Sequence, residues 1–232
     1  MIEAKKRQKE LTSLSSYLSK LIKKKFGKGP EACFCTIHDN LFIVHVKNFK
    51  TPAEEVLLEK DEKKLAASFR SVIMEAILGQ FLEEVAAVLG ASYQRFFHDW
   101  NYENNNGAIL LLQNQMPGRI NDFSLDQQFQ PFLIEKVRHV YYELRKVPAE
   151  ITIQNVNQHI CVIECTGLMP PSEQLLYEKG YADILNAMSL EMKQQFYRHE
   201  KHFQMVFNRE IRDIFLMEDY VKDKNYITIF LQ

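Results

Sequence analysis

The chain has 232 residues, 46% of them hydrophobic and 12% aromatic, which is enough for one large domain or two of about 115 residues each. Its 29 lysines and arginines against 30 acidic residues leave a net charge of −1, so the chain as a whole is not a generic polyanion binder. No apolar run approaches the roughly 18 residues of a membrane helix, the N-terminus lacks the apolar core of a secretory signal, and four cysteines without a CxxC pair read as reduced, buried thiols of a cytoplasmic protein.

In chain order, residues 1–10 lead into a first helix. Leu11, Leu14, Tyr17, Leu18, Leu21, Ile22 and Phe26 recur there at helical spacing and form one apolar stripe. Lys20, Lys23, Lys24, Lys25 and Lys28 crowd its far end. Residues 1–28 hold nine basic residues against Glu3 and Glu10, a local charge of +7 (9 − 2). Lysines at a helix C-terminus are favoured by the dipole, so this is either a solvated helix end or a contact for an acidic partner or an anionic surface. The cluster lacks interleaved aromatic or glycine-rich elements, so specific nucleic-acid binding is not expected. Lys20, Lys23, Lys24 and Lys25 are candidate partner contacts.

Gly27-Lys28-Gly29-Pro30 stops the helix. Residues 32–37 and 41–49 read as an antiparallel hairpin around Asp39-Asn40. The chain then enters a short helix through Thr51-Pro52-Ala53-Glu54. Thr51 is a favoured N-cap, Pro52 suits the first helical position, and Glu54 stands where the reciprocal carboxylate of a capping box belongs. A long helix follows, with Leu65, Phe69, Val72, Ile73, Ile77, Phe81, Val85 and Leu89 in helical period and Gly90 at its end. Residues 91–100 and 108–112 form a closing hairpin around an Asn-rich tip. Trp100 and Tyr102 beside that tip read either as an exposed partner anchor or as a cover for the core edge.

Residues 114–126, with Met116-Pro117-Gly118, read as a linker. The order then repeats. A helix carries Leu133, Val137, Val140 and Tyr141; residues 149–156 and 159–167 form a hairpin; Pro171 opens a short helix; one long helix runs from Ile184 to Phe207; and residues 209–219 and 226–231 form a last hairpin. Gly167-Leu168-Met169-Pro170-Pro171-Ser172-Glu173 repeats the helix entry 119 positions on (171 − 52). Pro170 replaces the capping threonine. Glu54 and Glu173 are thus either helix caps alone or carboxylates that also face a ligand. The expected fold is α+β: two tandem repeats, residues 1–113 and 127–232, each helix-hairpin-two helices-hairpin, with a two-layer antiparallel sheet under helices and approximate twofold symmetry. The duplication leaves open a monomer with an internal pseudo-dimer or a homodimer, and one shared sheet or two separate ones.

Gly29-Pro30, the Phe49-Lys50-Thr51-Pro52-Ala53-Glu54 helix opening and Val88-Leu89-Gly90 resemble the MpsC-like family. The family is named for a proposed sodium-translocating, membrane-potential-generating system of Gram-positive bacteria. The resemblance covers roughly residues 12–113 well and residues 129–231 weakly. It implies a tandem version of a short domain, associated with membrane proteins linked to inorganic carbon uptake. It brings no catalytic residues with it.

His199-Glu200-Lys201-His202 is one residue short of the HExxH zinc motif, and no third ligand is evident in the sequence. Cys33, Cys35, Cys161 and Cys165 lack zinc-ribbon spacing. There is no nucleophile elbow, P-loop or dinucleotide fingerprint. The chain is therefore expected not to be an enzyme and to need no metal or cofactor. It reads as an accessory or regulatory protein that binds a protein partner, in particular a membrane transport complex. The alternative is a small-molecule sensor with a ligand between the repeats, contacted by Glu54, His45 and Glu164.

Overall fold

The computed structural model describes residues 2–113, 129–144 and 146–232. The chain divides into two compact units, residues 1–119 and 120–232. The expected linker at 114–126 lies outside the described residues.

The first unit runs α1 (Ile2–Phe26), β1 (Ala32–His38), β2 (Leu41–Lys47), α2 (Pro52–Glu59), α3 (Lys63–Leu89), β3 (Arg95–Asn101) and β4 (Asn106–Leu112). The second runs α4 (Gln130–Glu143), β5 (Glu150–Asn157), β6 (Ile160–Thr166), α5 (Pro171–Glu178), α6 (Ala182–Arg198), α7 (Glu200–Phe207), β7 (Ile211–Asp219) and β8 (Lys224–Leu231). The class is α+β, and each unit has its own four-stranded antiparallel sheet, in the orders β1-β2-β4-β3 and β5-β6-β8-β7. The two hairpins of a unit meet through their second strands, so β2 and β4 are central in one sheet and β6 and β8 in the other.

Strand alternation puts Phe42, Val44 and Val46 of β2 on one face, with Ile109 and Leu111 of β4. Against this face lie Leu14, Leu18 and Ile22 of α1 and Met74, Ile77, Leu78 and Phe81 of α3, all fully buried. The second unit repeats the plan with Leu133, Val137, Val140 and Tyr141 of α4 over Cys161, Ile163 and Ile229. Leu14, Leu18, Leu21 and Ile22 recur as Leu133, Val137, Val140 and Tyr141, a constant offset of 119 (133 − 14, 141 − 22). Left-handed residues also recur at matching places: Asn48 and Gly167, Asp61 and Gly180, Gly90 and Asn208, Asn105 and Asp223. Asn, Asp and Gly are the residues that tolerate this conformation.

Several strand ends shift by about two residues, and two elements differ from expectation by more. β3 begins at Arg95 rather than at residue 91, because Gly90 caps α3 at φ 64° and the chain must turn before Gln94 N–H reaches Leu112 C=O, 3.0 Å away. The expected single helix from Ile184 to Phe207 is two helices meeting at His199 (φ −92°, ψ 5°). Between Phe196 and Phe203 no side chain is buried, so packing does not hold that turn in line, whereas α3 is continuous over the corresponding stretch.

The cysteines sit on β1 and β6 without disulfides. Burial pushes the Cys33 thiol up to about 11 and those of Cys35, Cys161 and Cys165 up to about 12. At about pH 8 roughly one thiol in a thousand or fewer is then a thiolate, the reactive form. Ellman's reagent should therefore label the native protein only over hours and all four thiols promptly in guanidinium; prompt native labelling would contradict this burial.

Candidate functional site

The capping box at the start of α2 is complete. Glu54 N–H donates to Thr51 Oγ1 at 3.3 Å, and Thr51 N–H donates to Glu54 Oε2 at 2.9 Å. Glu54 is also 0% exposed and paired with Arg70 of α3, itself 1% exposed. Arg70 donates through Nε and Nη2 to the two carboxylate oxygens, the bidentate fork that suits a carboxylate. Its Nη2 also donates to Phe49 C=O at 3.2 Å. One arginine thus ties the end of the β2 segment, the N-terminus of α2 and the middle of α3 together.

The guanidinium is enclosed by rings. Its central carbon lies 4.1 Å from the Trp100 ring centroid, 4.6 Å from Phe49 and 5.4 Å from Tyr102, within cation–π range. Trp100 lies across Gly107, its cross-strand partner, where any Cβ would run into the indole. Of the two readings of this pair, partner anchor and cover for the core edge, the burial fits the second. Trp100 is buried and Tyr102 half-buried, and both wall the arginine rather than offer themselves to a partner. Glu54 likewise has both oxygens engaged inside the core. Pro52 stands exposed at the first helical position. His45 is buried too, and Glu164 is ion-paired with Lys224, so none of the three suggested ligand contacts presents an open polar group.

The second unit builds the same place from other residues. Pro171 again opens the helix and Glu173 is again buried, but Pro170 supplies no side-chain cap. The cation now comes from Lys146, whose Nζ lies 2.7 Å from Glu173 Oε2. At the places of Arg70, Trp100 and Tyr102 stand Ser189, Glu218 and Tyr220, at offsets of 119, 118 and 118 (189 − 70, 218 − 100, 220 − 102). Tyr220 donates to Glu218 at 2.5 Å. Burial pushes the Glu218 carboxyl above its ordinary value, against the lowering effect of hydrogen bonds from Ser189 and Tyr220.

The basic stretch is helical from Ile2 on. Lys20, Lys23, Lys24 and Lys25 are all exposed, with the last three in the final turn of α1. Sequence reasoning did not foresee a second surface. α3 is apolar on its outer side as well as on its core side. Leu65, Phe69 and Val72 are 52%, 38% and 70% exposed, and the spacing of four and three aligns them on one helix face. Val56 of α2 is also exposed. Leu175, Ile184 and Met188 are exposed apolar residues at the places of Val56, Leu65 and Phe69 (175 − 56, 184 − 65 and 188 − 69 are all 119). The signal was present in the sequence: α3 has too many apolar positions for a helix buried on one side.

His199 and His202 do come together, with their Nδ1 atoms 3.2 Å apart. Across from them, α4 brings His139 and Glu143, one helical turn apart. Glu143 Oε2 lies 3.0 Å from His199 Nε2, and Glu143 Oε1 lies 3.3 Å from His139 Nε2. The groups that join the histidines of the HEKH run thus come from another helix, as an i, i+4 pair.

Residues 5–115 match the model of the family described as Na+-translocating membrane potential-generating system (MpsC). No curated protein and no solved structure matches the chain. Among the described residues no helix is long and apolar enough to cross a membrane.

Removing one partner of a buried pair strands the other charge, which costs about 3–5 kcal/mol. Arg70→Met and Glu54→Gln should each lose about that much in urea unfolding, and the double variant should lose less than their sum; strict additivity would mean the two side chains are not energetically coupled. For Glu218, the raised folded pKa means that the folded state holds its proton more tightly than the unfolded chain. Stability therefore falls as pH rises from the ordinary carboxylate range through the folded pKa. Glu218→Gln should be more stable than the wild type at about pH 7 and indistinguishable from it at about pH 4, read as urea midpoints. An equal difference at both pH values would show that the charge is not the cause.

Proposed function

We propose, from the match of residues 5–115 to the MpsC family model, that this protein is a non-enzymatic accessory or regulatory component, placed in the cytoplasm, that binds a protein of a membrane ion or inorganic-carbon transport system. The observation that carries the reading is the outer face of α3. Leu65, Phe69 and Val72 form an exposed apolar stripe on α3, with Phe69 also edge-on to Phe26, and Val56 is exposed on α2; clustered apolar surface of this kind is what protein contacts bury. Leu175, Ile184 and Met188 recur at the places of Val56, Leu65 and Phe69, whereas the place of Val72 holds the exposed Glu191 (191 − 72 = 119), so the second unit keeps the apolar face only in part. The exposed lysines at the end of α1 add a basic rim suited to an acidic partner or to the cytoplasmic surface of a membrane. The polar groups of the capping box support structure instead of chemistry, since they are buried and mutually bonded. The second, divergent unit repeats the strand order of the first, which fits an internal duplication of the same domain.

The test is a cross-linked pull-down of the tagged protein from its native cell, with membrane and soluble fractions kept apart. One membrane transport complex should be enriched. Phe69→Asp with Val72→Asp should weaken its capture by about 30-fold or more, as expected for hot-spot residues, with the circular dichroism spectrum unchanged. Lys23→Glu, Lys24→Glu and Lys25→Glu together should weaken it in a salt-dependent way. Capture that survives the α3 substitutions, or no reproducible membrane protein in the wild-type pull-down, would overturn the proposal.

A further inference from the structure

The histidine cluster of the second unit has the form of a metal site. Its three central groups, His139 and Glu143 of α4 and His199 at the α6–α7 junction, each present one ligand atom, and these atoms all lie within 4.8 Å of one another. A tetrahedral ion with bonds of about 2.0–2.1 Å sets its ligand atoms about 3.3 Å apart. Glu143 reaches His199 Nε2 through Oε2 at 3.0 Å and His139 Nε2 through Oε1 at 3.3 Å, so each imidazole already stands about one such edge from the carboxylate. A small turn of the carboxylate and of His139, whose side chain is 54% exposed, brings the three ligand atoms to that spacing.

Three further observations favour a cation here. Glu143 is the last residue of α4, where the helix dipole is negative and a carboxylate is disfavoured unless a positive charge accompanies it. The helix of the second unit breaks at His199, and α7 packs against α4. The corresponding helix in the first unit does not break, and the matching places there hold Lys20, Lys24, Gln80 and Glu83 (139 − 20, 143 − 24, 199 − 80 and 202 − 83 are all 119), with no imidazole. Finally, the close approach of His199 Nδ1 to His202 Nδ1 requires that one of them carry the proton. If His199 Nδ1–H donates to His202, then His199 Nε2 is left as a lone pair aimed at Glu143 and His139. That is the outer-shell arrangement that fixes a ligating tautomer.

We propose that His139, Glu143 and His199 bind one divalent transition-metal ion of the Zn2+ type, with His202 holding His199 in its ligating tautomer. Two imidazoles and a carboxylate form a three-ligand set that leaves a fourth position open to water or to a group from a partner. The site belongs to the second unit alone and is independent of the outer face of α3.

Zn2+ itself is the probe. The full chain, loaded with Zn2+ and passed through gel filtration, should retain one equivalent by elemental analysis, and Co2+ should give the intense visible bands of a tetrahedral site. His139→Ala and His199→Ala should each abolish retention. His202→Ala, acting through His199, should lower Zn2+ affinity about 10- to 100-fold in calorimetry. Circular dichroism checks the fold of each variant; should His199→Ala unfold, the exposed His139→Ala decides. Retention of no Zn2+ by the wild type would overturn the proposal. So would undiminished retention by His139→Ala.

Discussion

The first unit depends on a single charge that has no contact with bulk water. Arg70 is held by a carboxylate that is itself the N3 residue of a capping box, and by rings from α1, from the β2–α2 connection and from the closing hairpin. Burying a guanidinium and a carboxylate costs several kcal/mol each, and their mutual attraction offsets that only with good geometry and fully used hydrogen bonds. The bidentate fork, the Phe49 carbonyl and the threonine cap supply most of these, and Arg70 Nη1, buried without a hydrogen-bond acceptor, is left to the surrounding rings. Such a pair adds little net stability over an apolar filling of the same shape. What it adds is specificity of arrangement: α2 and α3 cannot slide relative to β2 without stranding a charge.

The second unit keeps the carboxylate and relocates its cation. Lys146 reaches Glu173 from beyond the end of α4 instead of from the long helix. The vacated helix position is a serine, and the tryptophan position is a glutamate. Removing the indole removes the need for glycine opposite it, and Asn225 stands there in its register. These are coupled exchanges. A glutamate facing Arg70's place is tolerable only without the indole, and its burial is eased by hydrogen bonds from Ser189 and Tyr220. The same fold is therefore held by a cation–aromatic cage in one unit and by a hydrogen-bonded acidic cluster in the other.

Much of this fold was legible because its signals are local. Pro52 and Glu54 announce the α2 start, Gly90 the α3 end, and the apolar period of α1 its buried face. The repeat at offsets of 118 and 119 was readable for the same reason: backbone constraints at Asn48, Gly90 and their counterparts demand particular residue types. What could not be read was set by contacts between distant segments. Nothing near Arg70 in sequence marks it as Glu54's partner; on a helical wheel it is one charged residue among apolar neighbours. Trp100 looked exposed because hairpin tips usually are, and only the packing of α3 beneath it turns it inward. The histidines of α4 and of the α6–α7 junction are separated by 60 positions (199 − 139), and the helix break that brings them together has no proline or glycine to declare it.

The strand order has a consequence for how the chain is made. Each sheet is closed by its central pair, and Leu41 faces Leu112 across 71 positions (112 − 41) just as Ile160 faces Phe230 across 70 (230 − 160). The first hairpin of a unit can zip up as soon as it leaves the ribosome, yet it has only one neighbour and an uncovered apolar face until the last strand arrives. Closing so wide a loop costs little more than closing one half as long, because the entropy grows only logarithmically, but distant pairing of this kind slows folding. Among the described residues, the core cluster of the first unit holds none beyond Leu111, and its last strand ends at Leu112. Its sheet can therefore be completed during synthesis, while the second unit is still being translated, which limits the time that two similar sets of strands are unpaired together and able to exchange partners.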